Sequence, residues 1–416
     1  MSTNLGMTSP KTITTATVTQ LLQTYYENEA YMESVQSDPI FQNRDLIKSI
    51  SVSNEEAIQA MDQFFIDVTP KNTGARNITL AFVKALNMSP VEGNSSFIGN
   101  EGTIDMKWTK CYANDWAGGL TLQKFGIDFR ELDNYKINPK AKRMLYQWRT
   151  EILGYYAREA LVQRYSHNLT ASPVSLSQSY NKNWWLPSLA DSAQPTFSAT
   201  AASHATSIGT AMNAAGMNAV LTPSYLMQLI DYLIERYLMP VRIGGKEMYG
   251  MLIAPRENRR LRDPAVSGSF GAYFKDAASI QDVNKVIPSA SLVVNEKLIL
   301  IPDPRISTTT LSGTGSAYTL TFGYDKAGRV TTKTSGVSTA GATNYWYNNI
   351  VLGAGAQMIY KPEDTHLEKQ PDEYNQFEGN ALFQAIGYQT PVWNVDAEST
   401  AGAQQESSYI VPTIKA

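Results

Sequence analysis

NPKAKRMLYQWRTEILGYYAREALVQRYSHNL, Asn138 to Leu169, is the stretch from which the architecture can be read. Asn138 can accept from the first free amides of a helix. Pro139, at the first helical position, gives up an N–H that would be unpaired anyway. Apolar side chains then recur as Ala141, Leu145, Trp148, Ile152 and Tyr155, with Met144 and Tyr156 widening the stripe. Lys140, Lys142, Arg143, Arg149, Arg158 and Glu159 fall mostly on the other sides. The spacing predicts one helix about 48 Å long, longer than a compact domain of this size needs. Its surroundings decide whether it is an ordinary core helix or the spine of an extended subunit.

The whole chain has 416 residues, room for two or three domains or for one elaborated domain with arms. Hydrophobic residues make up 43%, enough for a sizeable core. A net charge of −3 and a pI near 5.8 exclude a generally basic, nucleic-acid-coating protein. No apolar run approaches the ~18 residues that span a bilayer, and residues 1–20 lack the pattern of a secretory signal. A lone cysteine, Cys111, excludes an intrachain disulfide framework and suits a reducing cytoplasm. The 23 tyrosines and 7 tryptophans are a bias found at buried protein–protein contacts.

Before the helix, residues 1–20 are Ser- and Thr-rich and read as an extended arm. An irregular helical pattern covers Val18 to Val35, and a second helix is expected from Asn54 to Phe65, with Ala57, Ile58, Met61 and Phe65 on one stripe. Lys71-Asn72-Thr73-Gly74 is turn chemistry. Ile78–Val83 then reads as a strand, Ser89–Gly102 as a polar loop, and Thr103–Trp108 and Leu120–Phe125 as further extended pieces. The result is a two-stranded excursion with a loop at its tip. Such ribbons are marginal alone in water and need a partner surface.

After the helix, residues 170–221 read as a polar connector anchored by Trp184-Trp185-Leu186-Pro187. Thr222 caps a helix with Pro223 at its first position and Leu226, Leu229, Ile230, Leu233 and Tyr237 on one face; Pro240 closes it. Gly244-Gly245 turns into Met248–Ala254, a strand buried on both faces. Pro255 opens a short helix ended by Asp263-Pro264. Leu292–Val294 and Leu298–Ile301 form a hairpin across Asn295–Lys297. Ser307–Asn344 reads as a small β insertion, Ile350–Tyr360 and Asn380–Trp393 as returning strands, and the remainder as a polar tail. No internal repeat is present.

Catalytic signals are weak. The three histidines are far apart: His167 at the end of the long helix suits its dipole, His204 sits in the connector, and His366 lies at a surface between Asp364 and Glu368. No metal spacing such as HExxH occurs. Glu55-Glu56 and Glu363-Asp364 are adjacent rather than converging. Gly313–Ser316 lacks the Lys-Ser/Thr and the following helix of a phosphate loop. The basic cluster Arg256, Arg259, Arg260 and Arg262 is either a subunit-contact or phosphate-facing patch, or a solvated helix balanced by Glu257 and Asp263. The second option is favoured against nucleic acid; contacts between subunits stay open. No catalytic residue, cofactor or metal is expected.

Four stretches together resemble the major capsid proteins of tailed bacteriophages with the Hong Kong 97 fold, in the branch typified by coliphage N-four. Gly99–Trp108 resembles the returning strand of that family's extended loop, and Asn138–Leu169 its spine helix. Gly244–Leu261 resembles an axial-domain strand and helix. Asn349–Ala356, with Glu373–Asn375 and Ala385–Tyr388, resembles the closing strands. The order spans roughly three quarters of the chain. Residues 1–70 and Ser307–Asn344 match no pattern of the family.

The resemblance implies an α+β fold with an N-terminal arm and helices (1–70) and an extended two-stranded loop (71–135). A spine helix and connector (136–220), an axial α/β domain (221–306), a β-rich insertion (307–345) and returning strands with a tail (346–416) follow. It implies a non-enzymatic, self-assembling icosahedral shell around double-stranded DNA, made in the bacterial host cytoplasm. Copies of the chain in pentamers and hexamers would be its partners, with a portal and scaffolding or decoration proteins; packaged DNA would be touched only weakly, and no membrane. Candidate subunit-interface residues are Phe97, Trp108, Trp116, Arg256, Arg259, Arg260 and Arg262. The rival readings are a secreted or surface binding protein and an enzyme using carboxylates alone.

Overall fold

The computed structural model describes residues 47–52, 57–58, 63–70, 77–83, 106–123, 137–163, 183–195, 201–236, 238–243, 245–262, 292–314, 317–323, 344–371, 377–394 and 404–414. Strands β1 (Ile47–Val52), β2 (Ala57–Ile58), β3 (Phe65–Pro70), β4 (Asn77–Val83), β5 (Met106–Tyr112) and β6 (Asn114–Gln123) come first. The helix expected over Asn54–Phe65 is therefore replaced by strands at both described places. Phe64, Phe65, Ile66 and Val68 are all buried, and β3 pairs with a neighbour on either side. A strand enclosed in this way needs a continuous apolar run, which helical periodicity misreads. β4 and β5 pair antiparallel from Asn77↔Tyr112 to Val83↔Met106, the expected ribbon, with β2 alongside. Its tip, the Val18–Val35 pattern and Lys71–Gly74 lie outside the described residues.

The spine is α1 (Ile137–Gln163), beginning one residue before Asn138; His167 and Leu169 lie outside the described residues. Its buried face differs from the expected stripe. Leu145 and Tyr155 of that stripe are buried as expected, but Met144 and Trp148 are 61% and 40% exposed, and Lys142, Tyr146, Arg149, Leu153, Ala157 and Arg158 are buried beside them. The face is turned by about one residue, roughly 100° of helix. Polar partners cause the turn. Arg149 Nε donates to Gln384 Oε1 at 2.5 Å, and Arg158 donates through Nε to Asp303 Oδ2, both side chains fully buried. A hydrophobicity count places such residues in solvent, since it cannot see their partners. Lys142, Arg149 and Arg158 thus face the chain's own interior, against the expectation that they lie outside the stripe.

Beyond the spine come α2 (Ala201–Ala215), α3 (Pro223–Glu235), β7 (Val241–Ile243), β8 (Lys246–Ile253) and α4 (Pro255–Arg262). Helix α2 corrects the polar connector. Its Ala205, Ile208, Ala211, Met212 and Ala215 are buried: Ile208 and Met212 fill the core, while the alanines let the helix lie close to its neighbours and favour the helical state. Helix α3 starts as expected, with Thr222 accepting from the Tyr225 amide at 3.3 Å and Leu226, Leu229, Ile230 and Leu233 buried. Gly245, at φ 82°, makes the two-residue turn between β7 and β8.

Then follow β9 (Leu292–Val294), β10 (Leu298–Pro302), β11 (Thr308–Thr314), β12 (Ala317–Gly323), β13 (Asn344–Leu352), β14 (Gln357–Pro371), β15 (Phe377–Gln389), β16 (Val392–Asn394), β17 (Gln404–Glu406) and β18 (Ser408–Ile414). Five strands form a mixed sheet in the order β1-β3-β14-β15-β6. Eight form a second sheet, β12-β11-β13-β8-β10-β9, with β18 on β13 and β7 on β8. The β11–β12 hairpin of the insertion is continuous with this sheet through β13. Helices cover both of its faces. Tyr249, Met251, Ile253, Leu298 and Val351 meet α3 and α4, and Leu252, Ile299, Ile301 and Ile350 join the core with α1 and α2.

The last strand corrects the polar tail. Every residue of β18 is buried, and it pairs with β13 from Trp346↔Ile414 to Leu352↔Ser408. On its other side Trp185 N donates to Ile410 O and Ile410 N to Asn183 O, each at 2.9 Å. β13 forks here: Asn344–Tyr347 pair with β11, and Ile350–Leu352 with β8. Two buried asparagines fill the gap. Asn348 Nδ2 donates to Ser307 Oγ at 2.8 Å, and its Oδ1 accepts from Thr309 at 2.8 Å. Asn349 Nδ2 donates to Thr413 Oγ1 at 3.0 Å, and its Oδ1 accepts from Ala254 N at 2.9 Å. Buried amides left unpaired at a fork are costly, so side chains take over from the ladder.

Removing one member of the Arg158–Asp303 pair strands the other charge. Arg158→Ala or Asp303→Ala is expected to destabilise the chain by roughly 3–5 kcal/mol in urea unfolding. The double replacement Arg158→Met with Asp303→Leu should cost less than either single change.

Candidate assembly surface

Of the residues expected at subunit contacts, Phe97 lies outside the described residues. Trp108 stands in β5, opposite Ala81 of β4. Trp116, on β6, is half-buried. Its ring lies 4.2 Å from that of Tyr156, and its Nε1 donates to Ile386 O at 3.3 Å. Much of Trp116 therefore packs on the chain's own core, leaving part of the ring outward. The structure does not bring Trp116 together with the arginines of α4.

Exposed apolar side chains occur where periodicity did not place them. Met144 and Trp148, one turn apart on α1, form an outward ridge, and Met239 after α3 is 60% exposed. Beside Trp148 lies a shallow, open cleft lined by Trp116, Gly118, Ile152, Leu382 and the Arg149–Gln384 pair. Trp148 lies over Gly118: a Cβ there would sit 2.0 Å from the indole. Two adjacent glycines in β6, Gly118-Gly119, were the available sequence signal for a ring resting on the strand.

The basic helix α4 keeps its arginines outward. Arg256, Arg259 and Arg262 are exposed and Arg260 is half-buried. Glu257, expected as a solvated balancing acid, is instead 2% exposed, because α4 presses Glu257, Asn258 and Leu261 inward. Burial pushes its carboxyl up to about 7, against the pull of Arg260, of Arg256 and of the Leu221 amide that donates to it. Its Oε2 has no hydrogen-bond partner among the described residues. Nearby, burial raises the Tyr347 hydroxyl; Arg256, hydrogen-bonded to it, opposes the shift and Glu257 adds to it. Asp263 lies outside the described residues.

His204 falls within α2 rather than in a linker. His366 is at the surface as expected, stacked on Phe383 at 5.5 Å and 3.6 Å from Glu368. Gly313 and Thr314 end β11 and lead into a β-hairpin, so no helix follows them. Among the described residues no three His, Cys, Asp or Glu side chains cluster as a metal site, and no helix is long and apolar enough to cross a membrane.

Gly118→Ala is expected to lift the Trp148 indole from β6, at a cost of about 1–3 kcal/mol. The fluorescence difference between this variant and Gly118→Ala in a Trp148→Phe background reads it. An unchanged Trp148 contribution would refute the packing.

No family model and no curated protein matches the sequence. Solved structures do match. A chain from the acid-stable capsid of Helicobacter pylori bacteriophage KHP30 aligns with a TM-score of 0.56 and 9% identity, over 90% of this chain and 91% of that one. A chain of the cyanophage Pam1 capsid aligns with a TM-score of 0.54 and 16% identity, over 89% and 92%. The capsid of Ralstonia phage GP4 gives 0.53 and 9%, over 85% and 88%. At these identities the likeness is one of fold, and none of the three speaks to the N-four branch. The chain has the α+β, Hong Kong 97-type fold of phage capsid proteins.

Proposed function

We propose that the chain is the major capsid protein of a tailed bacteriophage, copies of which assemble into an icosahedral shell around double-stranded DNA. The observation that carries this reading is the fold shared with three phage capsid chains along most of both lengths. The anatomy supports it. A long spine, a ribbon extending from the sheets and an enclosed axial sheet suit a subunit that spreads over its neighbours. Symmetry then multiplies each modest interface across the lattice.

In this reading the role is structural rather than enzymatic, and the protein resides in the virion capsid after assembly in the bacterial host cytoplasm. Its partners are further copies in pentamers and hexamers, a portal, and scaffolding or decoration proteins. The net charge of −3 fits weak contact with packaged DNA, because a strongly basic lining would grip the phosphates. The ribbon around Phe97 and Trp108 and the arginines of α4 are the proposed contacts between subunits.

Deleting residues 88–101, in the ribbon's connecting segment, should abolish shells while circular dichroism shows the remaining chain still folded. Particles of normal size under the electron microscope after that deletion would defeat the proposal.

A further inference from the structure

Among the described residues, Glu257 is a buried carboxyl whose burial the assembly reading leaves unexplained. Two other segments bear on it: the Leu221 amide just before α3 donates to its carboxyl, and Tyr347 of β13 is close enough to feel its charge. Arg260 and Arg256 are its charged neighbours on α4. Tyr347 is the titratable group facing it from β13, and the Leu221 N–H is the donor from the segment before α3. One carboxylate oxygen is buried and unpartnered among the described residues. A neutral acid tolerates that environment; an ionised one demands a cation or water. Arg260 and Arg256 are the cations at hand, and of the two Arg256 already serves the Tyr347 hydroxyl.

We propose that Glu257 is a proton-operated pin: neutral, it lets α4 sit flush between β13 and the start of α3, and loss of its proton draws Arg256 away from Tyr347 and loosens α4. This goes beyond the assembly reading and does not rest on it. Its sign is fixed by linkage. A folded-state value raised above the ordinary 4.5 means the stabilisation is complete below that value and is lost as pH rises through about 7. The basic helix is thus firmly seated in mild acid and freer above neutrality.

Hydrogen exchange of the full chain, corrected for intrinsic rates, tests this between about pH 5.5 and about pH 8.5. Amides of α4 and residues 219–222 should lose protection at least about tenfold at the higher pH, as one pKa unit corresponds to a factor of ten. Glu257→Gln should hold the low-pH pattern at both. Tyr347→Phe, which frees Arg256 in advance, should move the midpoint to lower pH. Equal protection of the wild type at both pH values, or a Gln variant that responds like the wild type, would overturn the pin. An unmoved midpoint in Tyr347→Phe would overturn the transfer of Arg256. Should the Gln variant fail to fold, the wild-type profile and the Phe variant decide.

Discussion

The spine is aimed by a single buried ion pair. Arg158 and Asp303 are both sealed from solvent, and burying two charges costs several kcal/mol per ion unless their hydrogen bonds are met. Here several are. Arg158 Nη1 donates to Gly154 O at 2.5 Å, Asp303 Oδ1 accepts from Arg305 N at 3.0 Å, and the Asp303 amide donates to Ile253 O at 2.9 Å. One contact thereby joins the helix, the turn after β10 and the end of β8. Hydrophobic burial alone is non-directional and would let a helix roll on a sheet. Further polar pins act in the same sense: Gln357 donates to Ala157 O at 2.6 Å and Thr390 to Ala160 O at 2.9 Å. Together they dictate which face of α1 goes in and leave Met144 and Trp148 outside.

The same economy of polar groups closes the eight-stranded sheet. β13 changes partner midway, and Asn348 and Asn349 carry the hydrogen bonds that the ladder drops. Asn349 binds Ala254, where α4 begins, and also Val411 and Thr413 near the chain's end. Residues far apart in sequence must therefore meet before the sheet is complete. Folding dominated by such distant pairings is slow. The proposed assembly suits this anatomy: a chain whose long helix and sheet are locked internally keeps its own fold while its edges stay available.

Local signals read from the sequence were sound where a segment's chemistry is self-contained. Thr222-Pro223 marks the start of α3 whatever surrounds it, Gly245 takes the positive φ of the β7–β8 turn, and the Met248–Ala254 run is apolar enough to be buried anywhere. The outward arginines of α4 were legible for the same reason: guanidinium groups keep their charged heads in water wherever they can. The errors cluster where a partner supplies what the residue lacks. The Ser-, Thr- and Ala-rich Ala201–Ala215 is a packed helix, β18 is a covered strand rather than a polar tail, and Glu257 is an interior acid.

By itself, then, the amino-acid order determined the long helix, its capped companion α3, the ribbon of β4 and β5 and the α+β class. Each depends on capping, turn geometry or hydrophobic period within a few residues. Only the tertiary structure decided which face of α1 is buried, that β18 lies in the large sheet and that Glu257 sits in the interior. β18 hides an apolar Tyr409-Ile410-Val411 run that the sequence does display; the face of α1 and the burial of Glu257 share a different cause. The free energy of a buried polar group depends on the hydrogen bonds offered by distant residues, and no local pattern records them.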